Sequence, residues 1–290
     1  MLTLLLAFGC ATSASSPPID EHSRVTMHAR VVVAVGDLHG DVDASLDVLR
    51  LAGVVDDAGR WSGGDITLVQ TGDVTDRGPD SKGVLALLRR LQGEAARAGG
   101  AVIPLLGNHE VMNMRGDWRY VSAEDVAGYG GEATRRAAFG PTGEDGAWLR
   151  ARDTVAKVDD TIFAHGGVSA AWARTGLDAI NAAVRAGTDA MDPPAVLGPD
   201  GPLWNRAYLL ADEASACADL RAALQALGAR RMVVGHTTQA SGRVARRCEG
   251  ALSGIDTGIS AHYGRHLAAL RLVGDEVTAV YPETTGTGAP

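Results

Sequence analysis

The chain has 290 residues, 46% of them hydrophobic, which is material enough to fill one large domain. A formal net charge of -8 excludes a general nucleic-acid binder, because neutralising phosphates along a strand takes a basic surface. The three cysteines, Cys10, Cys217 and Cys248, form no CxxC pair, which excludes a zinc ribbon or a thioredoxin-type site.

In chain order, residues 2–8 are apolar but much too short to span a bilayer, and Cys10 follows them ahead of small and polar residues. Residues 1–29 are therefore expected to be a signal or lipoprotein-like segment and linker, although no Lys or Arg precedes the apolar run. The chain is expected to be exported, periplasmic or membrane-anchored through a lipid at Cys10, with a cytoplasmic location as the alternative. If it is exported, Cys217 and Cys248 could pair in the oxidising compartment.

Folded structure is expected over residues 30–282. Residues 31–35 read as a buried strand, and Val42, Leu46 and Leu49 then step at helical spacing until Gly53. The unit repeats, with a strand over 66–70, a loop, and a helix from Ser81 whose Val84, Leu88 and Leu91 share one face. A third strand covers 101–106. Parallel strands joined by helical crossovers carry their sites at the carboxyl ends. Residues 112–152 and 170–228 read as helical insertions over the active face. Further strands are expected over 161–164, 231–234 and 251–256, with a hairpin from 266–272 to 277–281 and a disordered tail at 283–290.

Each of the main loops ends a strand with chemistry. They are Gly36-Asp37-Leu38-His39-Gly40, Gly72-Asp73-Val74-Thr75-Asp76-Arg77-Gly78, Gly107-Asn108-His109-Glu110, Ala164-His165-Gly166-Gly167 and Gly235-His236. Oxygen and imidazole ligands delivered by five loops suit a two-metal hydrolytic centre. Asp37, His39 and Asp73 would hold one divalent ion; Asn108, His165 and His236 would hold the second, with Asp73 bridging. Two ions against two carboxylates leave about +2, so a phosphate is drawn in despite the acidic chain. A water shared by the ions would ionise near neutrality and attack phosphorus. His109, oriented by Asp76, would protonate the leaving oxygen, with Asn108, Arg77 and Arg206 contacting the phosphoryl oxygens. Each piece also has a plainer reading: Asp-Gly and Asn-Gly turns are common, Arg77 could pair with Asp80, and Arg206 could be an ordinary surface arginine. His22, His28, His262 and His266 read as solvated or linker histidines.

The first three motifs are similar to the signature of the calcineurin-like metallophosphoesterases, in their phosphoprotein phosphatase branch. Trp61-Ser62-Gly63-Gly64-Asp65, Met112-Asn113-Met114-Arg115-Gly116-Asp117, Gly201-Pro202-Leu203-Trp204 and Ile255-Asp256-Thr257-Gly258-Ile259-Ser260 resemble the Shewanella-like protein phosphatases. The resemblance implies an α/β/β/α sandwich with helical cap insertions, two divalent ions (manganese, iron or zinc), and hydrolysis of phosphate monoesters on a phosphorylated protein or a small ester. Phosphoserine, phosphothreonine and phosphotyrosine all stay open as targets, as does the oligomeric state. A dinucleoside polyphosphate hydrolase is the alternative, with Trp118, Tyr120 and Trp204 to line a base slot. A non-catalytic phosphate-binding module is a third reading, but no ligand is missing.

Overall fold

The structure is a computed structural model that describes residues 30–283. The expected signal segment, the anchor at Cys10, His22, His28 and nearly all of the expected tail lie outside the described residues. None of the described helices is long and apolar enough to cross a membrane.

Strand β1 (Val31–Val35) is followed by α1 (Val42–Leu51), β2 (Thr67–Gln70), α2 (Ser81–Arg97) and β3 (Ala101–Pro104). β1, β2 and β3 are parallel neighbours, as read, in register Val33 with Leu68 and Val69 with Ile103. Both helices start on aspartate caps: Asp41 accepts from the Ala44 N–H at 2.9 Å and Asp80 from the Gly83 N–H at 2.7 Å. Asp80 is thus spent on a helix end, and the ion pair considered for Arg77 does not form. The buried side of α1 differs from the expected one. Ala44, Ser45, Val48 and Leu49 face the core, while Val42 and Leu46 are half-buried. Small Ala44 allows close approach, and the Ser45 hydroxyl is satisfied by the Asp41 carbonyl at 2.6 Å.

Four short helices fill the first insertion: α3 (Asn108–Met114), α4 (Ala123–Gly128), α5 (Glu132–Phe139) and α6 (Glu144–Arg150). Next come β4 (Val155–Val158) and β5 (Thr161–Ala164), then α7 (Ala170–Ala173), α8 (Leu177–Thr188), α9 (Ala207–Leu210) and α10 (Glu213–Leu227). α8 packs on β4, and α10 on α7 and α9, so these helices mostly form an outer layer. It is the turn at Trp204 to Arg206 that leans over the site.

The chain continues through β6 (Arg231–Val234), β7 (Ala245–Arg247), β8 (Leu252–Gly254) and the hairpin β9 (Ala269–Val273) and β10 (Glu276–Val280). Two five-stranded mixed sheets result, ordered β10-β9-β1-β2-β3 and β4-β5-β6-β8-β7. In the second sheet β5, β6 and β8 are parallel, and β4 and β7 are antiparallel edges. Side chains on a strand alternate between faces, and the cores follow that alternation. Val32, Ala34, Val69 and Leu270 cluster with Phe163, Val233 and Ile255 between the sheets. Val33, Val35 and Leu68 belong with the α1 and α2 residues Val48, Leu49, Leu88 and Leu91 on the outside, and Ile162 and Met232 with Val184 and Leu220. The fold is therefore helix on sheet on sheet on helix. A disulfide joins Cys217 on α10 to Cys248 after β7, with Cα atoms 5.3 Å apart and a sequence separation of 31. Closing a loop of that size stabilises the fold by about 3–4 kcal/mol.

Candidate metal centre

The carboxyl ends of β1, β2, β3, β5, β6 and β8 meet where the parallel halves of the two sheets come together. β1 delivers Asp37 and His39; β2 delivers Asp73, Asp76 and Arg77; β3 leads to Asn108 and His109; β5, β6 and β8 end at His165, His236 and Asp256. All are buried except Arg77, which is half-buried. His39, Asp73, Asp76, Arg77 and His236 adopt left-handed backbone, with φ of 46, 55, 71, 68 and 65°. Each such residue costs on the order of 1–3 kcal/mol, so the loops are bent by their surroundings. The bending groups are visible: the Leu38 and His39 N–H groups both donate to the Asp73 carbonyl at 3.0 Å, and the Arg77 N–H donates to the Tyr120 carbonyl at 3.0 Å. Gly107 and Gly235 are needed for proximity, since a Cβ there would run into the Asp73 and Asp37 carboxylates.

Asp73 belongs to two clusters, one with His39 and His109 and one with His165 and His236; in each, the ligand atoms lie within 4.8 Å of one another. Its Oδ1 is 3.2 Å from His165 Nε2, and its Oδ2 is 3.8 Å from His39 Nε2 and 3.7 Å from His109 Nε2. Asp37 Oδ2 is 4.0 Å from His39 Nε2, and Asn108 Oδ1 is 2.9 Å from His165 Nε2. Backbone carbonyls fix the rings. His39 Nδ1 faces the Thr75 carbonyl at 3.2 Å and His165 Nδ1 faces that of Thr71 at 2.9 Å, which leaves each Nε2 lone pair turned inward.

The electrostatics call for cations. Burial, then Asp256 and Asp73, pushes Asp37 well above the usual carboxylate range. Burial also works to raise Asp73, but the imidazoles of His165 and His109 outweigh it and hold it well down. Burial pulls His39 to about 4, and burial with His165 pulls His236 to about 2. His236 Nε2 is buried without a hydrogen-bond partner. Crowded carboxylates, neutral imidazoles and an orphaned acceptor are what a divalent ion satisfies, so Asp37, His39, Asp73, Asn108, His165 and His236 fit such a group.

His109 stands at the rim, its Nδ1 2.7 Å from Asp76 Oδ2. Burial lowers its pKa, but Asp73 and Asp76 outweigh that and raise it. The cavity in front holds about 80 Å³ and is lined by His39, Asp73, Arg77, Asn108, His109, Tyr120, Trp204, Arg206, His236, Thr238, Asp256 and Tyr263. Both arginines singled out from the sequence are here: Arg77 lies over the Tyr120 ring at 3.9 Å, and Arg206 donates to the His236 carbonyl at 2.6 Å. A larger groove of about 710 Å³ runs along α10 and the disulfide and contains none of these residues.

Tyr120 and Trp204 line the cavity, whereas Trp118 packs against Arg135 and Arg136. Sequence reasoning gave no role to Glu110, Asp256 or Tyr263. Glu110 accepts from the N–H groups of Gly107, Asp73, Val74 and Thr75 and from the Thr75 hydroxyl at 2.8 to 3.0 Å, tying the second loop to the third. Asp256 accepts from the Thr238 hydroxyl at 2.6 Å and stands by the centre. Its signal was present, since Ile255-Asp256 ends a strand just as Asp37 and Asp73 do. His262 and His266 are exposed.

A family model described as calcineurin-like phosphoesterase matches residues 30–239. Shewanella-like protein phosphatase 2 of Arabidopsis thaliana is 32% identical over 280 residues, spanning 79% of this chain and 71% of its own length. Shewanella-like protein phosphatase 1 of Plasmodium berghei is 31% identical over 249 residues, spanning 81% and 69%. Among solved structures, a cold-active protein-tyrosine phosphatase of a psychrophilic Shewanella superimposes with a TM-score of 0.76 at 32% identity, covering 87% of this chain and 77% of that one.

Proposed function

Because the chain belongs to the calcineurin-like phosphoesterase family and is a metal-dependent phosphatase, we propose that it removes phosphate from phosphoproteins at a centre of two divalent ions. Asp37, His39 and Asp73 would hold one ion, and Asp73, Asn108, His165 and His236 the other. Manganese, iron and zinc all suit these ligand types. When bound, they supply charge neutralisation at the phosphoryl oxygens and ionise water near neutral pH.

The chain's own residues do the rest. Arg77 and Arg206 line the cavity and would contact the phosphoryl oxygens, orienting the ester and stabilising charge as it spreads. Asp76 holds His109 Nδ1, so that Nε2 faces the cavity and can give its proton to the departing oxygen. The single observation carrying this reading is Asp73, a carboxylate shared by two histidine clusters with a His–Asp pair at its edge.

The test is hydrolysis by protein dialysed against chelator and then reconstituted with each metal. Substrates are phosphoserine, phosphothreonine and phosphotyrosine peptides and a dinucleoside tetraphosphate. Metal-restored release of phosphate from a peptide is the expected result; turnover that survives chelation, or cleavage of the dinucleotide alone, would overturn it. Export with a lipid on Cys10 is part of the proposal, and a disulfide suited to an oxidising compartment supports it. Intact mass of the membrane fraction tests the anchor.

A further inference from the structure

Arg135 is fully buried although it belongs to a surface insertion, on α5. Its guanidinium is 4.6 Å from the Phe139 ring centroid and 5.1 Å from that of Trp118, so it sits in a largely apolar wrapping. Each of its three nitrogens donates one hydrogen bond: Nε to Asp125 Oδ2 at 2.9 Å, Nη1 to Asn113 Oδ1 at 2.6 Å, and Nη2 to Asp76 Oδ1 at 3.4 Å. Asn113 Nδ2 donates to the same Asp76 oxygen at 2.8 Å. The ring closes through Ser81, whose N–H donates to Asp125 Oδ1 at 2.6 Å and whose hydroxyl accepts from the Asp76 N–H at 3.0 Å.

Two donors therefore occupy Asp76 Oδ1, and Oδ2 is left facing His109 Nδ1. A carboxylate with one oxygen pinned cannot rotate away from the imidazole without breaking both bonds. We propose that Arg135 is a positioning residue: with Asn113 it locks the Asp76 carboxylate so that the His109 ring presents Nε2 to the leaving oxygen. The first insertion thereby takes part in the reaction from behind the site, without touching substrate. This inference rests on His109 as the proton donor.

Removing a buried charge leaves two carboxylates short of a partner, so the chosen variant is Arg135→Lys, which keeps the charge but carries its donors on a single nitrogen and cannot span Asp125, Asn113 and Asp76 together. An alkyl phosphate, which needs its leaving oxygen protonated, is compared with an aryl phosphate, which needs it less. For Arg135→Lys, kcat on the alkyl ester should fall about tenfold or more and on the aryl ester less than about twofold, with KM unchanged and bound metal unchanged. In a His109→Ala background Arg135→Lys should have no further effect on the alkyl ester. If Arg135→Lys does not fold, Asn113→Ala removes the other bond to Asp76 Oδ1 and should give the same ester selectivity. Equal loss on both esters, or loss that adds to that of His109→Ala, would overturn the inference. A His109→Ala variant that itself shows no ester selectivity would instead refute the proton-donor reading beneath it.

Discussion

Glu110→Gln changes one atom in a side chain that is entirely buried, and its effect can be worked out from the hydrogen bonds. Oε2 accepts from the Gly107 and Asp73 N–H groups, and Oε1 from those of Val74 and Thr75 and from the Thr75 hydroxyl. A glutamine has one acceptor oxygen and one amide nitrogen. Whichever way it turns, at least two backbone donors face an NH2 and lose their acceptor. Buried orphan donors cost about 1–3 kcal/mol each, giving about 2–6 kcal/mol. Burial and the Asp73 charge raise the Glu110 pKa, so neutralising it returns part of that cost. A net loss of about 2–4 kcal/mol is expected, or about 4–16 °C in Tm for a domain of this size. Asp73 and Gly107 are both released, so metal should also bind about 10–100-fold more weakly. Calorimetry of metal-free and reconstituted protein, with elemental analysis, measures both. A glutamine variant within about 0.5 kcal/mol of the parent and with undiminished metal affinity would show that this carboxylate is not what ties the loops together.

Asp73→Asn should deplete both metals and lower turnover by at least about 10³-fold, since among the described residues no other carboxylate is shared by the two histidine clusters; full metal content by elemental analysis would contradict the bridging role. Arg77→Ala should lower kcat/KM by about 10–100-fold through a lost charge-assisted contact, with Tm nearly unchanged; steady-state kinetics on any accepted ester decides it. In chelated protein, burial of neutral His39 and His236 works to lower stability on acidification below about pH 6.5. Both stay neutral in the fold down to about 4 and about 2, whereas the unfolded chain protonates both. The raised pKa values of Asp37, His109, Glu110 and Asp256 act in the opposite sense, so the histidine effect is read as a difference between two proteins. From pH 7 to 5 the Tm of the metal-free parent should fall relative to that of a His236→Gln variant, and an identical pH dependence of the two would contradict the assignment.

The ligands were legible because each is announced locally: an apolar run that can only be a buried strand stops at glycine beside Asp, Asn or His. Asp256 also closes an apolar run, but Gly254-Ile255-Asp256-Thr257-Gly258 carries neither the histidine that follows Asp37 nor the second aspartate and arginine that follow Asp73. β4 and β7 were missed because an edge strand pairs on one side only; Val155-Ala156-Lys157-Val158 and Ala245-Arg246-Arg247 carry too little pattern to separate from loop. Arg135 could not have been found. Its segment, Glu132-Ala133-Thr134-Arg135-Arg136, reads as an ordinary polar helix, and nothing local distinguishes Arg135, buried against Asp76 59 residues away, from its exposed neighbour Arg136. The pairing of sheets face to face likewise follows from contacts between distant strands, and reached the sequence reading through family resemblance rather than through periodicity.

The antiparallel pairing of Val31–Val35 with Ala269–Val273 has an effect on how the molecule is made. The first described strand keeps a bare side until some 240 residues later its partner is made, and the second sheet is laid down in between. The first sheet is thus latched at one side by a late hairpin. That pairing joins segments far apart in the chain, the kind of contact that slows folding, and no nascent chain shorter than the hairpin can complete the sheet that carries Asp37 and Asp73.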